Sequence, residues 1–267
     1  MNNLYRELAP ISPSAWAEIE EEASRTLKKY LGGRQIVDVH EPQGFDLSAV
    51  GKGHTQRISP VVDGVRTLKR QVNPVIELRI PFKLTRDAIN DVARGSSDSD
   101  WQPLKDAAQK LSFAEDSLIF NGYEDGGIDG ILPETSNEII TLPESASDYP
   151  NAVAQALTQL RQAGVNGPYA LVLGTEAYTK ASGSADDGYP VLRRLEQLVE
   201  VPIIWSQSLK GGLVVSTRGG DFDLWLGQDI SIGYLQHDAE SVELYLQETL
   251  TFQMQTAEAV VVLKHGE

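Results

Sequence analysis

The chain of 267 residues carries a formal net charge of −15, has no cysteine and is 41% hydrophobic. The length allows one large domain or two modest ones, and the missing cysteines exclude disulfides and thiolate metal sites. The acidic charge argues against nucleic acid as a partner, because phosphate binding needs a basic surface. No apolar run reaches the ~18 residues of a membrane span, and residues 1–7 lack the apolar core of a signal peptide. We therefore expect a soluble, cytoplasmic protein without a membrane partner.

The first predicted element is an amphipathic helix over residues 13–31. Ser12 is a suitable N-cap, Pro13 suits the first turn, and Gly32-Gly33 ends the helix. Apolar side chains recur at helical spacing, namely Trp16, Ile19, Ala23, Leu27, Tyr30 and Leu31. We expect this stripe to pack on the chain's own sheet, which begins with strands predicted over 35–39 and 45–50.

Residues 51–73 are predicted to form a long hairpin arm that reaches away from the body. Asp63-Gly64 between valines is typical of a hairpin turn. The segment has one acidic residue against five basic ones, which are Lys52, Arg57, Arg66, Lys69 and Arg70. Its charge alone leaves two interpretations open. The arm either meets an acidic surface on another copy of the chain or is a solvated loop that happens to be basic.

The middle of the chain alternates strands and helices. A returning strand is predicted over 76–83, and its Pro81 indicates a sheet edge. A short helix capped by Thr85 and a long helix over 103–120 follow. After Gly130 the pattern predicts a small α/β lobe. Its helices are predicted over 150–164, 176–181 and 189–199, and its strands over 169–173, 203–205 and 213–216.

The last predicted strands run over 222–226, 230–234, 242–254 and 259–263. The longest one alternates apolar and polar residues with a period of two, which predicts one solvated face. Glu248 interrupts its apolar side. This carboxylate is either a functional acid with a raised pKa or a structural group that marks a β-bulge or pairs with a buried arginine. We favour the structural role because the sequence offers no co-catalyst.

No catalytic constellation is recognisable, so we expect neither enzyme activity nor a bound metal. The motifs of serine hydrolases, zinc proteases, P-loop enzymes and dinucleotide-binding folds are missing from the sequence. The four histidines lack the spacing of metal ligands. Asp221 and Asp223 flank Phe222 and could bind a cation or act as acid and base, but we interpret them as the solvent side of an amphipathic strand.

A series of short motifs resembles those of the encapsulin shell proteins, also described as linocin-like. Each motif is short, but their order and spacing match from the N-terminal region to Leu263. The motifs are Leu8-Ala9-Pro10 before Trp16, Gly33-Arg34 with Val37-Asp38-Val39, Glu77-Leu78-Arg79, Arg94-Gly95, Gly167-Pro168-Tyr169, Gly188-Tyr189-Pro190, Arg218-Gly219-Gly220-Asp221-Phe222, Leu226-Gly227-Gln228-Asp229 with Ser231-Ile232-Gly233-Tyr234, and Gln247-Glu248-Thr249 with Phe252.

The resemblance implies an α+β protein with the tailed-phage major capsid fold of the Hong Kong 97 type. That fold has a P-domain with a spine helix, an A-domain and an extended E-loop. The segments of this chain that match are 1–50 for the N-terminal helix and the start of the P-domain, 51–73 for the E-loop, 74–129 for the P-domain with its spine helix, 130–217 for the A-domain, and 218–267 for return strands that complete the P-domain.

The resemblance also implies a function. Encapsulins assemble into an icosahedral cage, here expected to be the smallest, T=1 shell, around a cargo enzyme that its C-terminal peptide recruits. The implied cargo is a dye-decolourising peroxidase or a ferritin-like protein. The peptide groove would consist of Leu27, Tyr30, Arg34, Ile36, Asp38, Ile230 and Ile232. The loop at the fivefold pore would consist of Ser182, Gly183, Ser184, Ala185, Asp186, Asp187 and Gly188. The basic arm would then be a contact between subunits.

Two other functions remain as alternatives, a linocin-type bacteriocin with antibacterial or proteolytic action and a true phage capsid protein. The first lacks a protease constellation in the sequence, and the second lacks a long charged helical segment before the body. No cofactor is expected. Some encapsulins bind a flavin through a tryptophan on the short helix after the E-loop strand, but the matching place here is near Asp87, and the nearest tryptophan, Trp101, lies in a different segment.

Overall fold

Two β-sheets are joined by one long helix that contributes to the core of each. The computed structural model describes residues 3–266. Residues 1–7 were predicted to lack a signal peptide, and the first two of them, Met1 and Asn2, lie outside the described residues. Glu267 also lies outside them. Among residues 3–266, no helix combines the length and apolarity that crossing a membrane requires.

The helices largely follow the predicted pattern. They are α1 Pro13–Tyr30, α2 Arg86–Ala93, α3 Gln102–Asn121, α4 Ile131–Glu134, α5 Tyr149–Gln162, α6 Thr175–Gly183 and α7 Val191–Leu198. The strands are β1 Asp38–Val39, β2 Ala49–Arg57, β3 Leu68–Pro74, β4 Ile76–Thr85, β5 Ile140–Leu142, β6 Tyr169–Gly174, β7 Ala185–Asp186, β8 Tyr189–Pro190, β9 Ile204–Ser206, β10 Gly212–Ser216, β11 Phe222–Leu226, β12 Ser231–His237, β13 Ser241–Met254 and β14 Val260–His265.

Strand β13 is the centre of the first sheet. Strands β4, β11 and β12 all pair with it in the antiparallel sense. Strand β1 adds to β11 in parallel. Residues of α1, α2 and α3 pack on one face of β13, where Ile19, Leu104 and Leu244 belong to one apolar cluster. The long strand predicted over 242–254 is confirmed in its position.

The prediction that β13 has one solvated face is wrong. Its polar side is also buried, because the Tyr245 hydroxyl donates to the Asn3 carbonyl at 3.1 Å and the Arg79 guanidinium lies over the Tyr245 ring. Further along, the Thr249 hydroxyl accepts from the backbone N–H of Gln228 at 2.7 Å. Alternation indicates the direction of each side chain, but it does not indicate which remote segment will cover it.

The second sheet has the order β5-β14-β10-β6-β9 and includes the last strand of the chain. Strand β14 lies between β5 and β10. This position corrects the predicted segment 218–267, whose strands were all expected to complete the first sheet. The physical reason is the unbroken apolar run Val260–Leu263, since such a run suits an inner strand that is covered on both faces.

Helix α3 corresponds to the predicted spine helix. Its first half, including Leu104 and Leu111, packs in the core of the first sheet. Its end, including Leu118 and Phe120, packs in the core of the second sheet. The predicted stop at Gly122 is confirmed: its φ of 77° lies in the left-handed region, and its N–H donates to the Leu118 carbonyl.

The hairpin arm forms as predicted, from β2, β3 and the ten connecting residues 58–67. The strands predicted just before it are mostly wrong. A 3₁₀ turn, Gly33–Gln35, replaces the start of the strand expected over 35–39, and the strand expected over 45–50 begins only at Ala49. The turn forms because the Asp116 carboxylate accepts from the backbone N–H of Gly33 at 2.8 Å, a tertiary contact that local propensity does not encode.

Candidate functional site

A cavity of about 400 Å³ lies between α1 and the edge strand β12. Apolar side chains form much of its wall, namely Leu4, Ala23, Leu27, Leu31, Ile230, Ile232 and Leu246. Charged side chains line the remainder, namely Arg6, Glu20, Lys28, Arg34 and Asp229. The cavity therefore suits an apolar segment that also carries polar groups.

The structure brings four of the seven predicted groove residues to this cavity: Leu27, Arg34, Ile230 and Ile232. It does not bring the other three there. Tyr30 lies outside the cavity with its ring 5.9 Å from that of Trp205, Ile36 is buried in the second core, and the Asp38 carboxylate accepts from the N–H of Gly220. The 3₁₀ turn at Gly33–Gln35 explains the positions of Ile36 and Asp38, because it changes the chain direction just before them.

The N-terminal segment completes the cavity wall, which sequence reasoning missed. The Leu4 carbonyl accepts from the N–H of Tyr234 at 2.8 Å, so this segment pairs with the outer edge of β12. Arg6 forms an ion pair of 2.5 Å with Glu20 on α1 and lies over the Trp16 ring. No periodicity in residues 3–6 could have indicated this position. By contrast, Leu31 belongs to the apolar stripe predicted for α1 and Leu246 to the apolar side predicted for β13, so these two wall residues had a signal in the sequence.

Arg34 is held at the cavity wall by three carboxylates. Its Nε and Nη2 donate to both oxygens of Glu115 at 2.7 to 3.0 Å, and its Nη1 donates to Asp229 at 2.8 Å. Its Nη2 also lies 3.3 Å from Oε2 of Glu248. Burial lowers the pKa of Arg34, but the hydrogen bonds and charges of these carboxylates outweigh that effect and raise it. The guanidinium is therefore permanently charged.

Glu248 has an arginine partner, as its structural interpretation required, and that partner, Arg34, is partly buried. Its side chain is fully buried at the α3 side of β13. Burial is the largest cause that raises its pKa well above the ordinary value, and the neighbouring Glu115 raises it further, while Arg34 lowers it. No group of three or more potential ligands that could hold a metal occurs among residues 3–266.

The two aspartates that flank Phe222 are paired rather than solvated. Asp221 is buried and accepts two hydrogen bonds of 2.9 Å from Arg218. Asp223 lies 2.7 Å from Nε2 of His40. The solvent-side interpretation is therefore wrong for Asp221, whose partner lies in the turn just before the strand.

The predicted pore loop forms an exposed tip of the second lobe. It begins at the end of α6 and continues through the short hairpin of β7 and β8. Asp187 takes a left-handed conformation with φ 48°, and Asp186 pairs with Arg194. The members Ser182, Gly183, Ala185, Asp187 and Gly188 are exposed, and Ser184 and Asp186 are half-buried.

The arm exposes an apolar surface together with its positive charge. Val61 and Val62 are 82% and 64% exposed, and the other exposed apolar residues of the arm are Ile58, Val65, Leu68 and Val72. Lys52 pairs with Asp129 at 3.1 Å. Within residues 3–266 the other predicted arm residues, Arg57, Arg66, Lys69 and Arg70, form no ion pair and are exposed. A surface of this kind is unusual on an isolated chain.

Comparison with known proteins agrees with these features. The model of a family described as an encapsulating protein for peroxidase matches residues 1–251. A type 1 encapsulin shell protein of Rhodococcus erythropolis is 55% identical over 98% of this chain and 100% of its own length. The type 1 encapsulin shell protein of Mycobacterium tuberculosis is 51% identical over 99% of this chain and 100% of its own length.

The solved structures with similar folds are capsid-like. A virus-like particle of Pyrococcus furiosus covers 93% of this chain, with 99% of its own chain matched, a TM-score of 0.64 and 20% identity. A chain of Mycobacterium phage Bobi covers 90% of this chain, with 92% of its own matched, a TM-score of 0.59 and 15% identity. The fold is thus that of the Hong Kong 97-type capsid proteins, as predicted, and the chain belongs to the family of type 1 encapsulin shell proteins.

Proposed function

We propose that this chain is the non-enzymatic subunit of a closed icosahedral shell, of T=1 size, that encloses a cargo enzyme in the cytoplasm. The observation that supports assembly most strongly is the arm. It leaves the body as an isolated two-stranded hairpin, and such a hairpin is marginally stable without a covering partner. Its exposed valines and unpaired cations therefore favour a second copy of the chain as the partner.

The charge distribution supports the same partner. The arm is basic whereas the whole chain has a net charge of −15. An arm from one copy would thus meet a predominantly acidic surface on the next, which favours encounter between copies. The exposed tip at Ser182–Gly188 would then meet its symmetry copies around the fivefold axis and line a pore.

The cavity between α1 and β12 is proposed to receive the C-terminal peptide of the cargo. Its apolar wall accommodates aliphatic side chains, while Arg34, Lys28 and Asp229 in its lining offer both signs of charge. The family description names a peroxidase as the enclosed protein. We therefore propose a peroxidase as the cargo class, with a ferritin-like protein as the second candidate.

Electron microscopy of the purified full-length chain tests assembly directly. We expect closed, uniform particles with icosahedral symmetry, and sedimentation should show one large species. Small oligomers under all conditions of salt and pH would contradict the shell. For cargo, a fluorescent protein that carries the C-terminal residues of the peroxidase from the same organism is co-expressed with the shell. We expect it to co-sediment with the particles, and the same fluorescent protein without the tail should not.

A further inference from the structure

Three buried carboxylates lie close to one another beneath the cavity, and one arginine contacts two of them. Glu115, Asp116 and Glu248 are each at most 1% exposed, and Arg34 is the cation that contacts two of them. The third anion in contact with Arg34, Asp229, remains half-exposed. One cation cannot balance three buried negative charges, and an uncompensated buried charge is costly. At least one of the buried groups should therefore carry a proton.

The hydrogen bonds indicate which group that is. Asp116 accepts from the N–H groups of Gly32 and Gly33 and from the Ser206 hydroxyl, at 2.7 to 3.2 Å, so its charge is well supported. Glu115 receives the bidentate contact from Arg34. Glu248 has only the 3.3 Å contact to an Nη2 that is already shared with Glu115. Its Oε1 is buried and accepts no hydrogen bond. Of the three carboxylates, Glu248 therefore has the weakest hydrogen bonding to stabilise a negative charge.

No other described element supplies a compensating cation. From α3, Glu115 faces Glu248, and from the β11–β12 connection Asp229 adds a further negative charge. From β4, the residue paired with Glu248 is the apolar Leu78. The nearest cation on β4, Arg79, is engaged with Gln247 and the Tyr245 ring on the opposite side of the sheet.

We propose that Glu248 is a positioning residue of the cavity: as a carboxylic acid it donates its proton to Glu115, and the pair, with a single negative charge, fixes Arg34 and through it Asp229 at the cavity wall. The raised pKa of Glu248, caused first by burial and then by Glu115, agrees with this assignment. The inference relies on the proposed function only in taking a cargo peptide as the ligand of the cavity.

This arrangement predicts how the cavity responds to pH. A carboxyl group whose folded pKa is raised contributes a stabilisation that is full below its unfolded pKa and is lost as the pH rises through the folded pKa. Above the folded pKa of Glu248, a second buried charge repels Glu115 and competes for Arg34. The guanidinium then no longer has a fixed position, and the peptide should bind more weakly.

The test compares the assembled wild-type shell with the variants Glu248→Gln and Glu243→Gln. The amide introduced by Glu248→Gln keeps an N–H donor toward Glu115 and cannot ionise, whereas Glu243 lies on the same strand with a half-exposed side chain. On titration from acid to alkaline pH we expect the wild type and Glu243→Gln to keep the infrared C=O band of a protonated carboxyl group to a higher pH than Glu248→Gln does. The component that Glu248→Gln retains is that of Asp116, whose pKa burial raises to about 6.

The second measurement is the affinity of a synthetic peptide with the C-terminal residues of the peroxidase from the same organism. From neutral to alkaline pH we expect a loss of about tenfold for the wild type, which corresponds to one unit of pKa difference, and no loss for Glu248→Gln. An infrared band that disappears at the same pH in the wild type and in Glu248→Gln, or identical pH profiles of affinity for both proteins, would overturn the inference. A band that persists to a higher pH in the wild type, together with no peptide binding at any pH, would instead overturn the proposed cargo function.

Discussion

Asp116 connects three segments through one carboxylate. It lies on α3 and accepts from the backbone at the end of α1 and from Ser206 on β9, so it fixes the first sheet's helix against the second sheet. Burial raises its pKa from the ordinary 3.8 to about 6, although these donors oppose the shift. The folded pKa lies above the unfolded one. The stabilisation is therefore full below about pH 3.8 and is lost as the pH rises to about 6.

Replacing the Ser206 hydroxyl should weaken this junction. We expect Ser206→Ala to lower the free energy of unfolding by about 1 to 2 kcal/mol near neutral pH, because a buried carboxylate loses one of its donors. The pKa of Asp116 should rise further, so the loss of stability with rising pH should extend above pH 6. Thermal unfolding between pH 4 and 8 measures both effects. The exposed Ser97→Ala serves as the control, and a variant with the wild-type profile would contradict the role of this hydroxyl.

Ile230 and Ile36 show how differently two predicted groove residues are placed. Ile230 lines the cavity, whereas Ile36 is 5% exposed within the second core. We expect Ile230→Asp to leave the particle intact but to reduce cargo loading about tenfold or more, since a buried apolar contact is replaced by a charge. Ile36→Asp should instead prevent folding.

Co-purified cargo per particle, measured after electron microscopy has confirmed intact shells, tests this difference. Ile139→Asp is the matched control, because Ile139 is exposed and lies outside the cavity. Normal cargo loading in Ile230→Asp would mean that the cavity is not the peptide site. Folded but empty shells from Ile36→Asp would mean that Ile36 does contact the cargo peptide.

Among the elements, those with a local signal could be predicted. The caps and apolar stripes of α1 and α3 and the Asp-Gly turn of the arm depend on neighbouring residues, so their positions are confirmed within a few residues. The turn at Gly33–Gln35 could not be predicted, because it depends on the carboxylate of Asp116, 83 residues away. The sequence likewise did not indicate which sheet contains β14, because a fully apolar strand suits any position that is covered on both faces.

The candidate cavity could be predicted in part. Leu27 and Ile232 were named from the resemblance to the encapsulins, and both lie on elements, α1 and β12, that the periodicity had predicted. The wall formed by residues 3–6 depends on backbone pairing with β12 and leaves no side-chain pattern. The cluster around Arg34 was anticipated only through Glu248, a carboxylate on the apolar side of a strand. Its partner became evident once α3 had placed Glu115 beside it.

The tip of the arm offers a direct test of its role. We expect the double variant Val61→Asp and Val62→Asp to remain folded but to fail to form shells, because charges would enter a contact that the exposed valines imply. The matched control replaces both valines by leucine, which keeps the contact apolar. Sedimentation separates shells from small oligomers, and circular dichroism verifies the fold. Normal shells from the aspartate variant would mean that the arm tip remains in solvent.

At the scale of the whole molecule, charge should influence assembly. The basic arm and the acidic remainder attract each other across copies, and salt screens exposed charges over a Debye length of about 8 Å at physiological ionic strength. We expect Lys69→Glu with Arg70→Glu to slow assembly from separated subunits at low salt, with a smaller effect at high salt. Light scattering during reassembly measures the rate. Lys264→Glu is the control because Lys264 is exposed outside the arm, and a salt-independent effect would indicate a contact of another kind.

The position of β14 also has a consequence for the order of events during synthesis. Residues 260–265 pair with β10 on one side and β5 on the other, so the second sheet stays divided until this last strand has emerged from the ribosome. Contacts between residues so distant in sequence form late in folding. Strand β13, with which β4, β11 and β12 pair, is made just before β14. Both sheets are therefore completed only after residues 241–265 have emerged, whereas α1 and the arm consist of residues made much earlier.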